Sequence, residues 1–167
     1  MSSLSDVFKV LISMREAQVI EDYAIGGAMA VLFYAEPTRT YDLDVFVLLP
    51  KSSSSLLSLS PIYEWLKPRG FEPHAEHVMI HGVPVQFLPA YNELAEEAVK
   101  AARLLDYEGV PVRVTPPEHL IALSLQAGGR KRRERAIQLL EAGVADRPSL
   151  EALLARHDIS AGDLLNE

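Results

Sequence analysis

The feature that most constrains the fold is an unbroken apolar run, Val-Phe-Val-Leu-Leu at residues 45–49, which two aspartates precede. Such a run is typical of a strand that is covered on both faces, as in the sheet of an α/β protein. It is far shorter than the ~20 apolar residues that a membrane span needs. The sequence therefore predicts an α/β (α+β) fold, with helices around a mixed sheet and two acids at the start of one strand.

Length and composition narrow the class of protein. With 167 residues, 49% of them hydrophobic, the chain predicts a single domain. We expect its core over about 20–115 and a C-terminal helical part over about 116–167. The formal charge of −7 argues against a nucleic-acid footprint over the whole surface. The sequence has no cysteine, which excludes disulfides, thiolate zinc sites and a thiol nucleophile. No basic targeting segment precedes the first apolar stretch, so we expect a soluble cytoplasmic protein without a membrane role.

Hydrophobic spacing and turn residues predict the order of the elements. In the N-terminal half they predict a helix over 4–20, a strand over 22–25, a glycine turn, a helix from 28 to before Pro37, a strand over 42–49 and a helix from Ser60 to Gly70. In the C-terminal half they predict a hairpin of 71–80 with 83–88, a helix from Asn92 to Leu105, a second hairpin ending at 110–114, a helix that Thr115 caps, a helix from Arg130 to Gly143, and short helices near 149–156 and 160–165. Helices thus dominate after residue 115.

Two glycines and two acids are the candidate site residues. Gly26 and Gly27 stand where a strand turns into a helix, so that backbone amides can approach a triphosphate closely. Asp42 and Asp44 are two residues apart on a strand, which places both carboxylates on one side, where a divalent cation can bridge them. Magnesium prefers such oxygen ligands. The alternative for the glycines is a tight turn under a packed helix, without a ligand.

The wider context of these four residues resembles a known family. The run Tyr-Ala-Ile-Gly-Gly-Ala-Met-Ala from residue 23, followed by Thr-Arg-Thr-Tyr-Asp-Leu-Asp-Val-Phe from residue 38, is similar to the nucleotidyltransferase fold of the DNA polymerase β superfamily. More narrowly, it resembles the abortive-infection, AbiEii-like nucleotidyltransferases. The resemblance is strong over 22–50 and weaker over most of the remaining chain.

That resemblance implies roles for several residues. It implies that Gly26, Gly27 and Ala28 hold the nucleotide, and that Asp42 and Asp44 bind Mg²⁺ or Mn²⁺. It also implies that Arg39, Thr40 and Lys131 are nucleotide contacts. For Arg39 and Thr40 the alternative is ordinary loop polarity, and for the basic stretch that contains Lys131 it is a solvated helix face.

The sequence departs from the family pattern at the third acid. The resemblance places a carboxylate at Gln86, whose neutral amide cannot take a proton as a general base. Glu72 and Glu76 are the nearest substitutes in the chain. Past Lys131, where the family has acids, this chain has Arg132 and Arg135.

Two functions remain open on these grounds. The first is a metal-dependent nucleotidyltransferase that transfers a nucleoside monophosphate from an NTP to a hydroxyl of a protein, an RNA such as tRNA, or a small molecule. The second is a catalytically impaired nucleotide-binding or partner-binding module of the same fold, as one half of a toxin–antitoxin pair with a cognate partner protein. The histidines at 74, 77 and 81 are interpreted as exposed hairpin residues.

Overall fold

A computed structural model describes residues 3–35, 42–50 and 58–165 of the chain. It contains a sheet flanked by helices, as the sequence predicts. The strands are β1 (Asp22–Gly26), β2 (Leu43–Leu48), β3 (Pro73–His74), β4 (His77–Ile80), β5 (Val83–Pro89), β6 (Arg103–Tyr107) and β7 (Val110–Val114). The helices are α1 (Ser3–Glu16), α2 (Gly27–Val31), α3 (Ser60–Leu66), α4 (Glu93–Lys100), α5 (Pro117–Ala127), α6 (Arg130–Glu141) and α7 (Arg147–Arg156), with a 3-10 turn at Lys67–Arg69.

The seven strands form one mixed sheet in the order β3-β4-β5-β2-β1-β7-β6. β2 is antiparallel to β1 and parallel to β5, and β1 is parallel to β7. The remaining pairs are antiparallel neighbours joined by short turns. β2 is therefore the central strand, and Asp44 near its start lies between β1 and β5. Asp42 was expected on the same strand but precedes it, because β2 begins at Leu43.

The predicted burial of β2 is only half right. Leu43, Val45 and Val47 are fully buried, while the alternate residues Asp44, Phe46 and Leu48 are half-buried. Side chains alternate between the two faces of a strand, so the second set shares one face. That face borders a cavity instead of a packed layer of side chains. A run of apolar residues in the sequence cannot distinguish these two cases.

The first helix is shorter than predicted, although its buried face is correct. Val7, Phe8, Leu11 and Met14 recur at helical spacing and are completely buried. The helix ends at Glu16 instead of about 20, because Gln18 takes a positive φ of 61° and the chain turns there. The remaining predicted residues lead into β1.

Two other helix ends differ from the prediction. α2 has five residues, after which hydrogen-bonded turns continue to Ala35. α4 ends at Lys100, so that Leu105 lies on strand β6.

Two further predicted elements have a different form. Residues 162–165 form turns, not a helix. The 71–80 segment contains two strands, β3 and β4, because a tight turn at Ala75 divides it.

Helix caps were predicted correctly for α4 and wrongly for α5. The Asn92 side chain accepts a hydrogen bond from the Ala95 amide at 2.8 Å. Thr115, however, extends β7, and its amide donates to the Ile25 carbonyl at 3.0 Å. Pro116 is the cap residue of α5, and Pro117 begins the helix. Pairing with β1 thus takes Thr115 out of the capping position.

The C-terminal helices pack beside one another next to α2. α5 contacts α2, α4, α6 and α7, and α6 also contacts α2. Gly128 and Gly129 separate α5 from α6, with φ values of 76° and 94° that favour glycine. Across the described ranges no helix is both long and apolar enough to span a membrane.

Candidate functional site

The two glycines at the end of β1 make room for side chains of β2. A Cβ at Gly26 would lie 2.5 Å from the Phe46 ring, and a Cβ at Gly27 would collide with the Asp44 carboxylate. Gly27 also has a φ of +60°, which L side chains rarely adopt. Both glycines are therefore needed for the close approach of Asp44 and Phe46, whether or not a ligand is bound.

Asp44 lies at the centre of a row of residues across three strands. It is paired with Gly26 on β1 and with Gln86 on β5. Neighbours in register point to the same face of a sheet. The residue at the expected third-acid position therefore does lie beside Asp44, and it presents an amide there.

A cavity of about 600 Å³ lies over this face, a size typical of small-molecule sites. Gly27, Asp44 and Phe46 line one side of it, and α5 and α6 line the opposite side. The cationic residues of its lining are Arg130, Lys131, Arg132 and Arg135. Among the described lining residues Asp44 is the single acid, so the cavity carries a local excess of positive charge within a chain of net charge −7.

The charges of the cavity act on Asp44. Burial raises the pKa of Asp44 above its ordinary value, while the positive charge of Arg135 opposes this increase. The nearby Asp42 carboxylate raises the Asp44 pKa further, and His77 and Arg132 lower it. The net result is a raised pKa of Asp44. Additional positive charge in the cavity, such as a cation, would lower this pKa and favour the charged carboxylate.

Asp42 is exposed, immediately before β2, and is near a histidine. The distance from its Oδ2 to Nε2 of His77 is 3.8 Å. The His77 side chain is only 20% exposed, in contrast to the exposed His74 and His81. The interpretation of all three histidines as exposed was therefore wrong for His77, because the pairing of β4 with β5 brings that strand close to the start of β2.

The structure places the other predicted residues in different ways. Lys131 lines the cavity opposite Asp44. Ala28 is half-buried in the first turn of α2 and is not among the described lining residues. Arg39 and Thr40 lie outside the described residues. Glu72 and Glu76 are exposed on the β3–β4 side, and neither is among the described residues that line the cavity.

Sequence reasoning did not predict three contributors to the cavity. Arg132 and Arg135 were expected only as members of a basic stretch that could receive a triphosphate or be a solvated helix face, and neither was assigned to the site individually, although both line the cavity and act on Asp44. Their spacing of three on α6 is the signal that could have grouped them on one face. Tyr91 also lines the cavity, and its isolated position in a loop offered no pattern.

The two acids of the site would hold a hard cation only together with other ligands. Across 3–35, 42–50 and 58–165, no group of three or more histidine, aspartate or glutamate side chains could hold a metal by itself. Mg²⁺ often binds one or two carboxylates together with substrate phosphates. Asp42 and Asp44 supply that number of carboxylates, so a cation carried by a triphosphate suits the donor set.

Comparison with solved structures identifies the fold. The chain aligns with an antigenic nucleotidyltransferase-like protein from Paracoccidioides brasiliensis at 18% identity and a TM-score of 0.60, covering 93% of this chain and 87% of that one. It also aligns at 14% identity with the antibiotic-resistance factor ANT(2'')-Ia in solution, with a TM-score of 0.54 and coverage of 93% and 91%. This chain has a nucleotidyltransferase-like fold.

The crystal structure of ANT(2'')-Ia in complex with adenylyl-2''-tobramycin agrees with this result. Its TM-score to the chain is 0.58 at 14% identity, over 94% of this chain and 98% of that one. No protein family profile and no curated protein sequence matches the chain. The fold predicted from residues 22–50 is thus confirmed, and the narrower AbiEii-like relationship stays a prediction.

Proposed function

We propose that this protein is a nucleotidyltransferase that transfers a nucleoside monophosphate from an NTP to a hydroxyl acceptor. One observation carries the proposal: Asp44 faces Lys131, Arg132 and Arg135 across one cavity at the centre of a nucleotidyltransferase-like sheet. A triphosphate carries about four negative charges, which such a cluster of cations can offset.

In this reaction the acceptor oxygen forms a bond to the α-phosphorus as the bond to pyrophosphate breaks. The hydroxyl proton passes to a neighbouring base or to water. Asp42 and Asp44 would hold Mg²⁺ or Mn²⁺, which supplies charge neutralisation at the phosphates. Lys131, Arg132 and Arg135 would orient the phosphates from the opposite side. Because Gly27 has no Cβ, the Asp44 carboxylate would have room beside the triphosphate.

The acceptor would be neutral or anionic rather than a polycation. ANT(2'')-Ia was solved in complex with adenylyl-2''-tobramycin, and tobramycin is a compound with several amines. The described lining of this cavity has four cationic residues and one acid. A bound triphosphate would offset these cations, but the single acid of the lining is too little to bind a polyamine. We therefore expect the acceptor to be a hydroxyl on a protein, an RNA or an uncharged small molecule.

The transfer assay uses Mg²⁺ and each α-labelled NTP, with tRNA, total protein or the protein itself as acceptor. We expect label on one acceptor with the wild type and none with Asp42→Ala/Asp44→Ala. The matched control is Glu93→Ala/Glu96→Ala, which removes two exposed acids from α4. Equal labelling by the wild type and the Asp42/Asp44 variant would disprove the enzyme proposal.

A second candidate is a nucleotide-binding or partner-binding module without turnover. The observation that favours it is Gln86 beside Asp44, at the place of the third carboxylate. This candidate predicts NTP binding by calorimetry without label transfer. It also predicts that Gln86→Glu increases the affinity for Mn²⁺, because the new carboxylate would lie next to Asp44. Transfer by the wild type would exclude it.

Membership in the AbiEii-like group, with a cognate antitoxin, is a narrower proposal. It is supported by Gly26-Gly27, Asp42-Leu43-Asp44 and Lys131 in the order of that family. If it is correct, expression of the wild type in bacteria slows growth, and expression of Asp44→Ala does not. Equal growth with both variants would refute a toxin role. The nucleotidyl transfer itself would then be tested by the transfer assay alone.

A further inference from the structure

The cavity has two chemically different halves. Its cations and Asp44 form one half. The other half is apolar and is lined by Phe46, Leu88, Tyr91, Leu120 and Leu123. Phe46 and Leu88 are register partners on β2 and β5, so their side chains lie together on the sheet. A ligand that fills the whole cavity therefore needs a charged part and an apolar part.

Tyr91 is the residue of the apolar half that is most available to a ligand. Its exposed fraction is 64%, and among the described residues the other large apolar side chains that are largely exposed are Met79 and Leu104. An aromatic ring combines a large contact surface with few rotatable bonds, so it binds planar groups at low entropic cost.

The backbone on both sides of Tyr91 is held in place. The preceding Ala90 amide donates to the Val47 carbonyl at 3.0 Å. The following Asn92 caps α4 and donates from Nδ2 to Oε1 of Gln126 on α5 at 3.0 Å. The exposure of Tyr91 is therefore a property of an anchored segment between β5, α4 and α5.

We infer that Tyr91, together with Phe46 and Leu88 of the same lining, binds the nucleobase of the triphosphate. This inference rests on the proposed function, because it assumes that the cationic half holds the phosphates. Stacking on an aromatic side chain tolerates any base, since every base has a π-face. The site would then gain affinity for nucleotides over bare polyphosphate without strong base selectivity.

The test compares two ligands by titration calorimetry, in Mg²⁺: an NTP, and inorganic tripolyphosphate, which lacks the base. We expect the wild type to bind the NTP more tightly than tripolyphosphate. Tyr91→Ala should weaken NTP binding about tenfold and leave tripolyphosphate binding unchanged. Tyr91→Phe keeps the ring and should bind the NTP within about twofold of the wild type. Leu104→Ala is the matched control, because Leu104 is 65% exposed on edge strand β6, away from the cavity.

The outcomes separate this inference from the proposed function. If the wild type binds tripolyphosphate and the NTP equally, or if Tyr91→Ala leaves NTP affinity unchanged, the role of Tyr91 is refuted while the phosphate site stands. If the wild type binds neither ligand, the proposed nucleotide site is wrong and the role of Tyr91 is refuted with it. Weakening of both ligands by Tyr91→Ala would show a general structural effect and would also refute the role in base binding.

Discussion

Glu97 joins the helices α4, α5 and α7, and its removal is expected to make the protein less stable at neutral pH. On α4, its carboxylate accepts hydrogen bonds from Arg156 at 2.8 and 2.9 Å. It also lies 2.7 Å from Nε2 of His119 on α5 and 3.2 Å from Nε2 of His157 at the end of α7. The perturbation is Glu97→Gln, which keeps the shape and removes the charge.

The magnitude follows from the pKa of Glu97. Burial by itself raises this pKa, but the hydrogen bonds from Arg156, His119 and His157 outweigh it and lower the pKa from 4.5 to about 2. At ~1.4 kcal/mol per pKa unit, the whole shift corresponds to about 3 kcal/mol. The side chain is 31% exposed, so solvent screening reduces the expected contribution to about 1–2 kcal/mol. For a chain of this length, such a loss of stability lowers Tm by about 4 °C.

The pH dependence has a definite sign. The folded-state pKa is lower than the unfolded-state pKa, so the contribution of Glu97 is present above about pH 4.5 and is lost as the pH falls toward about 2. The assay is urea unfolding of the wild type and of Glu97→Gln, monitored by circular dichroism at several pH values between 7 and 2. The exposed neighbour Glu96 provides the control variant, Glu96→Gln. A difference between wild type and Glu97→Gln that stays constant over this pH range would refute the reasoning, as would an equal loss in Glu96→Gln.

Three further predictions concern other residues. Asp44→Asn is expected to raise Tm and to abolish transfer, because burial raises the Asp44 pKa and so makes its charged form unfavourable in the folded state at pH 7; a lower Tm in a thermal scan would contradict this. Gly27→Ala should lower the free energy of unfolding, measured with urea, more than Gly109→Ala does. Both glycines have a positive φ, but only at Gly27 would a Cβ collide with another residue, Asp44. Equal decreases for the two variants would contradict this prediction. Burial raises the pKa of Tyr34 to about 12, so the folded state keeps the phenol proton above pH 10, and stability should fall from about pH 10 to 12 in the wild type. Tyr34→Phe should lack that loss and, without the hydrogen bond to the Thr115 carbonyl, be about 1 kcal/mol less stable at pH 7, which alkaline urea titrations would check.

Elements whose signals are local could be predicted from the sequence. The strand predicted over 42–49 and found at Leu43–Leu48, the glycine turn before α2, the Asn92 cap and the Gly128-Gly129 break all follow from the preferences of a few adjacent residues. Predictions failed where distant pairing competes with local preference. Thr115 has the composition of a helix cap, but its amide pairs with Ile25 in the sheet. Leu105 continues a helical pattern, but it pairs with Val112 on β7.

The candidate site divides in the same way. By itself the sequence determined the glycine pair and the two acids two residues apart, because these lie in short segments with characteristic spacing. The resemblance to nucleotidyltransferases then placed the neutral Gln86 at the position expected for a third acid. Only the tertiary structure decided which charges face Asp44 and which rings share its cavity. Arg135 lies 91 positions after Asp44, and Tyr91 lies 47 positions after it. Contacts across such separations depend on how the sheet orders its strands and how α5 and α6 pack over them, and no local preference encodes that path.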